Sequence, residues 1–209
     1  MLKSLRYSGV PSNRLDRDRV LAAALELLDA DGLEALSMRR LSSALGVQNG
    51  ATYWHFRSKQ ALLEAMADAL IAGVAAGGPP VAELARRLRR ALLSRRDGAL
   101  LFSGRFFPLP NALAYGEAMI AALRAGGLGA REAAWAADTV TYHVIGHVIE
   151  EQMAASQPDP AAAAGRLTTA VDPARHPNLA AALPHVAAPH PEEHFEFGLR
   201  IVLAGIGAA

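Results

Sequence analysis

The chain has 209 residues, 52% of them hydrophobic, with a formal net charge of +1 and no cysteine. That apolar fraction can fill a substantial core, so disorder is not the default reading, and the small net charge by itself announces no polyanionic partner. Without cysteine, neither a disulfide framework nor a thiolate metal site is possible.

Much of the apolar content is alanine, while aromatic residues make up 6% of the chain. This bias predicts an all-α protein. The leading segment Met1–Val20 lacks the apolar core of a signal peptide, and no run of about 18 uncharged apolar residues occurs. The expectation is a soluble, cytoplasmic protein with no membrane partner.

Asp16 or Asp18 can cap a first helix whose stripe is Val20, Leu21, Ala24, Leu25, Leu27 and Leu28, with Gly32 as its stop. Ser37 caps a second, carrying Met38, Leu41 and Leu45 as far as Gly46. A short third spans about Gln48 to Phe56. Ser58 opens a fourth through Leu62, Leu63, Met66, Leu70 and Ile71, expected to end at Gly77-Gly78-Pro79-Pro80. Beyond the prolines, helices are expected at 81–96, 99–106, 111–125, 130–156 and 190–207. Residues 157–189, rich in Pro and Ala, read as a long loop holding one short helix.

Charge is unevenly spread. Residues 1–60 carry nine Lys/Arg against six Asp/Glu, whereas residues 61–209 carry twelve against fourteen. From Ser37 to Gln60 there are Arg39, Arg40, Arg57 and Lys59 and no acid. Such a stretch suits contact with phosphates, where each cation displaces condensed counterions; the alternative is a basic patch on a solvated face. LSSALGVQNG also sets a glycine-containing turn between two short helices, the helix-turn-helix pattern. In that arrangement the second helix enters the major groove and its N-terminal residues reach base edges.

The segment LSMRRLSSALGVQNGATYWHFRSKQALLEAMADAL, above all LGV and TYWHFRSKQALLEA, resembles the DNA-binding domain of the TetR (tetracycline repressor) family. ALLSRRDGALLFSGR and HVIEEQ resemble segments of that family's ligand domain. The resemblance implies a one-component repressor of a palindromic operator in double-stranded DNA, released by a small-molecule effector. Its units would be a helix-turn-helix domain at 1–57, a connecting helix at 58–78, and an effector-binding and dimerisation domain at 79–209. It implies that Arg39 lies near a phosphate or guanine edge. Gln48, Asn49, Gly50, Ala51 and Thr52 would form the turn and start of the recognition helix. Asn49 is the expected base reader, since its amide can both donate and accept toward adenine. Tyr53, Trp54 and His55 match backbone-contacting positions, and Lys59 the phosphate-binding lysine. Phe56 reads as core, and Tyr53 as either core or contact.

In the ligand domain the resemblance implies a homodimer sealed by the last two long helices. Gly146, Gly198 and Gly205 would permit close approach there, beside Val144, Ile145, Val148, Leu199, Ile201 and Val202. The tetracycline-binding pattern is altered: Phe102 stands at the metal histidine, Leu84 at a polar drug contact and Leu88 at an aromatic one, with the carboxylate kept at Glu150. The expected effector is therefore aromatic or polyketide-like rather than tetracycline–Mg²⁺. Its expected contacts are Leu84, Leu88, Phe102, Arg105, Phe106, Tyr115, Met119, Trp135, Thr139, His143, His147 and Glu150, each of which also reads as ordinary core or surface.

His143 and His147 share a helical face at a spacing that can hold zinc, with Glu150 beyond them, but structural histidines near a dimer seam are the expectation and no metal or cofactor is assigned. His190 and His194 repeat the spacing, but Val144 and Pro191, which follow the first histidine of each pair, stand where a zincin motif needs glutamate. With no G-x-S-x-G and no phosphate-binding glycine loop, a non-enzyme is expected. An effector-independent DNA-binding regulator, and more remotely an enzyme on the same helices, are the alternatives.

Overall fold

Eleven helices and no strand make up the described residues, which are 15–104, 108–187 and 190–207 of this computed structural model. Arg105, Phe106 and the leading segment 1–14 lie outside them.

α1 (Arg17–Asp31) is capped by Asp16, whose carboxylate accepts the Arg19 N–H at 2.8 Å, so Asp16 rather than Asp18 is the cap. α2 (Met38–Ala44) is capped by Ser37, and α3 (Asn49–His55) follows a tight corner. At that corner Gly46 takes φ +65°. Val47 N–H reaches the Ser42 carbonyl at 3.0 Å and Gly46 N–H the Ser43 carbonyl at 3.1 Å, the paired bonds of a Schellman turn.

α4 (Lys59–Leu70) starts at the Ser58 cap but stops seven residues short of Gly77. The physical reason is Gly73, which with Gly77 adopts a left-handed φ near +79° and turns the chain through 71–77. α5 (Val81–Leu93), α6 (Gly98–Phe102), α7 (Pro110–Ala125) and α8 (Ala130–Ala155) follow. The expected loop at 157–189 instead contains two helices, α9 (Pro160–Ala170) and α10 (Pro177–Val186), before α11 (Pro191–Gly205). Each begins on a proline, which at a first helical position sacrifices no hydrogen bond and arrives with helical φ. Those prolines start helices rather than break them.

Two hydrophobic cores result. Val20, Ala24, Leu28, Leu41, Phe56, Leu62 and Met66 fill the N-terminal one. Leu84, Leu88, Met119, Val144, Phe195 and Leu199 belong to the second, where α8 packs on α5, α7 and α11. Leu70, Phe102 and Ala112 touch both.

The α5–α6 corner grips the N-terminal unit with polar groups. Asp97 accepts the Leu33 N–H at 2.8 Å, and the Arg96 guanidinium donates to the Ala30 carbonyl at 3.0 Å. Asp29 pairs with Arg95 and accepts the Arg96 N–H. Among the described residues no helix is long and apolar enough to cross a membrane.

Candidate nucleic-acid interface and effector core

The second helix of the corner is held rigidly against the first. The Ser42 and Thr52 hydroxyls meet at 2.9 Å, and both residues are buried. Thr52 also donates to the Asn49 carbonyl at 3.2 Å. Thr52 thus departs from its expected place among the DNA-facing residues: its hydroxyl is consumed inside the corner, locking α3 onto α2. On the other side Arg17 donates to the His55 carbonyl at 2.9 Å and lies over the Phe56 ring at 4.2 Å. Phe56 is core, as its chemistry predicts.

What remains outside on α3 and its flanks is a set of polar, aromatic and basic side chains. Gln48, Asn49 and Gly50 are exposed at the start of α3, with Ala51 half-buried behind them. Gln48 caps α3 without using its amide. Trp54 is 89% exposed and Tyr53 45%, which resolves Tyr53 toward the surface. His55 is half-buried; Arg39, Arg57 and Lys59 are exposed. Arg40, by contrast, is paired with Asp31 at 2.7 Å. Exposed amides, two aromatic side chains and cations on α3 and its flanks carry the groups that hydrogen-bond base edges and phosphates.

The expected effector residues separate into three places. Leu84, Leu88, Tyr115 and Met119 converge inside the second core, and Phe102 sits half-buried where the two cores meet. The Tyr115 hydroxyl lies 3.0 Å from that of Thr141, and burial pushes its pKa up to about 12 against the opposing pull of that hydrogen bond. His143 and His147 turn toward α11, stacked on and edged against Phe195. Trp135, Thr139 and Glu150 point outward, so these three do not join the buried group.

The expected seam residues are also redistributed. Val144, Val148 and Leu199 are buried in the chain's own core. Gly198 serves that same core, because a Cβ there would stand 2.5 Å from the His143 ring. Trp135, Tyr142 and Met153 on α8, with Phe197 and Ile201 on α11, are the large apolar side chains left outside, and Gly146 and Gly205 have open space above them.

The helix-turn-helix segment lies within a stretch, residues 20–66, that matches the model of bacterial regulatory proteins of the tetR family. Residues 80–209 match the tetracyclin repressor-like C-terminal domain. The chain belongs to the TetR family. Tetracycline repressor protein class C of Escherichia coli is 36% identical over 207 residues, covering 93% of this chain and 91% of that relative. Among solved structures, a possible TetR family regulator from Streptomyces coelicolor A3(2) is 40% identical with TM-score 0.82, covering 92% of this chain and 99% of its own. ActR from Streptomyces coelicolor, in complex with actinorhodin, is 30% identical with TM-score 0.82, covering 92% and 95%.

Three features of this TetR-family regulator escape sequence reasoning. Arg17 is one, because nothing local says that the first helix closes the end of the third. The α5–α6 corner is another. The third is a buried charge cluster: Arg89, 8% exposed at its side chain, bonds the Glu151 carboxylate at 3.0 and 3.1 Å and also pairs with Glu192. Burial works against the Arg89 charge, but the two carboxylates outweigh it and its pKa rises. Glu151, not Glu150, is the acid on the histidine face, 3.9 Å from His147.

His147 supplies a pH test. Burial lowers its pKa from 6.5, opposed by the Pro191 carbonyl at 3.0 Å and by Glu151, and helped by His194 and Arg89. The folded chain therefore binds this proton less readily than the unfolded one. Stability from this residue is present above pH 6.5 and declines as pH falls from 6.5 through the lower folded value. Thermal unfolding across that window should show a falling midpoint, and His147→Gln should flatten it; an unchanged slope would contradict the assignment.

Proposed function

We propose that this regulator is a homodimeric repressor of a palindromic operator, released when a small molecule binds its C-terminal core. The division into reading head (1–57), connecting helix (58–78) and effector unit (79–209) is part of that proposal, supported by the two cores that meet at Leu70, Phe102 and Ala112. The observation that carries it is the exposed face of α3 and its flanks, with Asn49, Trp54, Arg39 and Lys59 outward while Thr52 and Phe56 anchor it from within. Dimerisation is supported by the bare stripe of Tyr142, Met153, Phe197 and Ile201, too apolar to be left in water. Two heads so joined would meet successive major grooves about 34–36 Å apart.

The test is binding to palindromes selected from a randomised pool. Lys59→Ala should weaken binding to all sequences and lower the salt slope by about one. Asn49→Ala should keep the slope and lose about 1–3 kcal/mol of discrimination at one base pair. Base preference left intact by Asn49→Ala would remove that residue from the reading role.

For the effector, an aromatic or polyketide-like compound fits the apolar set Leu84, Leu88, Phe102, Tyr115 and Met119. The ActR relative is described with actinorhodin, which supports the same class. Phe102 offers no metal ligand, so tetracycline–Mg²⁺ should not bind tightly; Mg²⁺-dependent quenching of tetracycline fluorescence would refute this. The complete burial of Leu84, Leu88 and Met119 favours a second reading, a regulator that needs no effector. Operator release by aromatic polyketides separates the two.

A further inference from the structure

Asp68 lies on α4 yet is only 8% exposed. A carboxyl at that depth needs its oxygens engaged, and both are. One accepts the backbone N–H of Ala112 at 2.9 Å, the other the side-chain amide of Asn111 at 3.0 Å. Both donors belong to the first turn of α7. Helix starts leave N–H groups without an intrahelical partner, and the residue preceding α7, Leu109, has no side chain to supply one. The cap comes instead from another helix, 44 residues earlier in the chain.

The position of this contact gives it leverage. It includes the Ala112 N–H and lies two residues before Leu70 on α4, and both Ala112 and Leu70 pack against both cores. At the other end of α4 are Lys59 and, immediately before it, the exposed face of α3. From Asp68 to Lys59 the helix rises ~13 Å, so a tilt of ~10° about the contact moves the far end by ~2 Å. Hydrogen bonds to a backbone N–H and an amide fix an angle better than apolar packing, which lets helices slide.

We propose that Asp68 is a positioning residue: its carboxylate, anchored to the first turn of α7, fixes the tilt of α4 and through it the placement of the α3 face relative to the effector core. The inference rests on the dimeric operator-binding reading for its functional consequence, though not for its geometry.

Because the chain has no cysteine, spin labels can be placed at will. Glu26→Cys on α1 and Arg124→Cys on α7, both exposed, would report the distance between the two units. Labelled protein diluted into unlabelled protein keeps the measured pairs within one chain. Asp68→Ala should shift or broaden that distance. It should also weaken binding to the palindrome selected by the unmodified protein by about ten-fold, while binding to a single half-site and the salt slope stay within about two-fold. Asp68→Asn should restore both readouts, since it keeps an acceptor for the Ala112 N–H and Asn111 can turn its oxygen to the new amide. If Asp68→Ala does not fold, Asn111→Ala, which leaves the backbone bond in place, should show the same pattern in smaller measure. An unchanged distance distribution and an unchanged ratio of palindrome to half-site affinity in a folded variant overturn the proposal. Absence of palindrome preference in the unmodified protein would instead sink the dimeric reading, with the intrachain distance still deciding the role of Asp68.

Discussion

Replacing Arg89 by alanine is expected to lower the free energy of unfolding by about 3–5 kcal/mol. The size follows from what is left behind rather than from the pair itself. Glu151 is 18% exposed at its side chain, and without the guanidinium its carboxylate would keep only His147 at 3.9 Å, an imidazole whose protonation burial disfavours. The Phe195 ring would also lose the guanidinium lying 4.9 Å from its centre. Glu192 supplies the internal control. Its side chain is 70% exposed, so Glu192→Ala should cost below about 1 kcal/mol even though it contacts the same arginine. Urea unfolding of the two variants checks both values. Equal losses would mean that the cluster acts as a surface network, not as a buried charge with one deep partner.

Gly98→Ala should be about as damaging, costing about 3 kcal/mol, or ~10 °C in thermal midpoint for a chain of this length. A Cβ at this position would stand 2.1 Å from the Leu92 carbonyl oxygen and 3.4 Å from a Leu70 methyl. The oxygen belongs to backbone and cannot rotate aside, so α5 or α6 must move. Either movement pulls on Asp97, already at a positive φ of 54°, and on its bond to Leu33. The cost therefore includes part of the grip between the two units. Gly116→Ala is the contrast: it lies in the interior of α7 with nothing within 4 Å, so it should stabilise by about 0.5–1 kcal/mol. Scanning calorimetry of the two glycine variants distinguishes steric cost from a general effect of added methyl groups.

Local chemistry accounts for what was legible beforehand. Ser37, Ser58 and Asp16 cap because a short oxygen-bearing side chain reaches the free N–H groups one turn ahead, whatever lies elsewhere in the fold. Gly46 forms the corner for an equally local reason, the left-handed φ of +65° that a residue without a Cβ adopts freely. The failures at Gly73 and at Pro160 and Pro177 were also local: a single glycine outweighed the apolar stripe of α4, and proline has two opposite meanings depending on whether it begins a helix or interrupts one.

On its own, then, the amino-acid order determined the all-helical class, the first three helices and their tight corner, and the TetR-family resemblance that the family models bear out. Tertiary structure alone decided which side of α8 looks inward. α8 carries apolar residues on more than one face, and a repeat of three and four residues marks a stripe without naming its partner, so Val144 went inside while Tyr142 stayed out. The same held for Thr52, drawn into the corner by Ser42, and for Glu151, chosen over Glu150 by Arg89 62 residues away. Contacts between distant segments leave no periodic trace in the chain; they exist only once the packing of one helix on another has brought the two groups within bonding range.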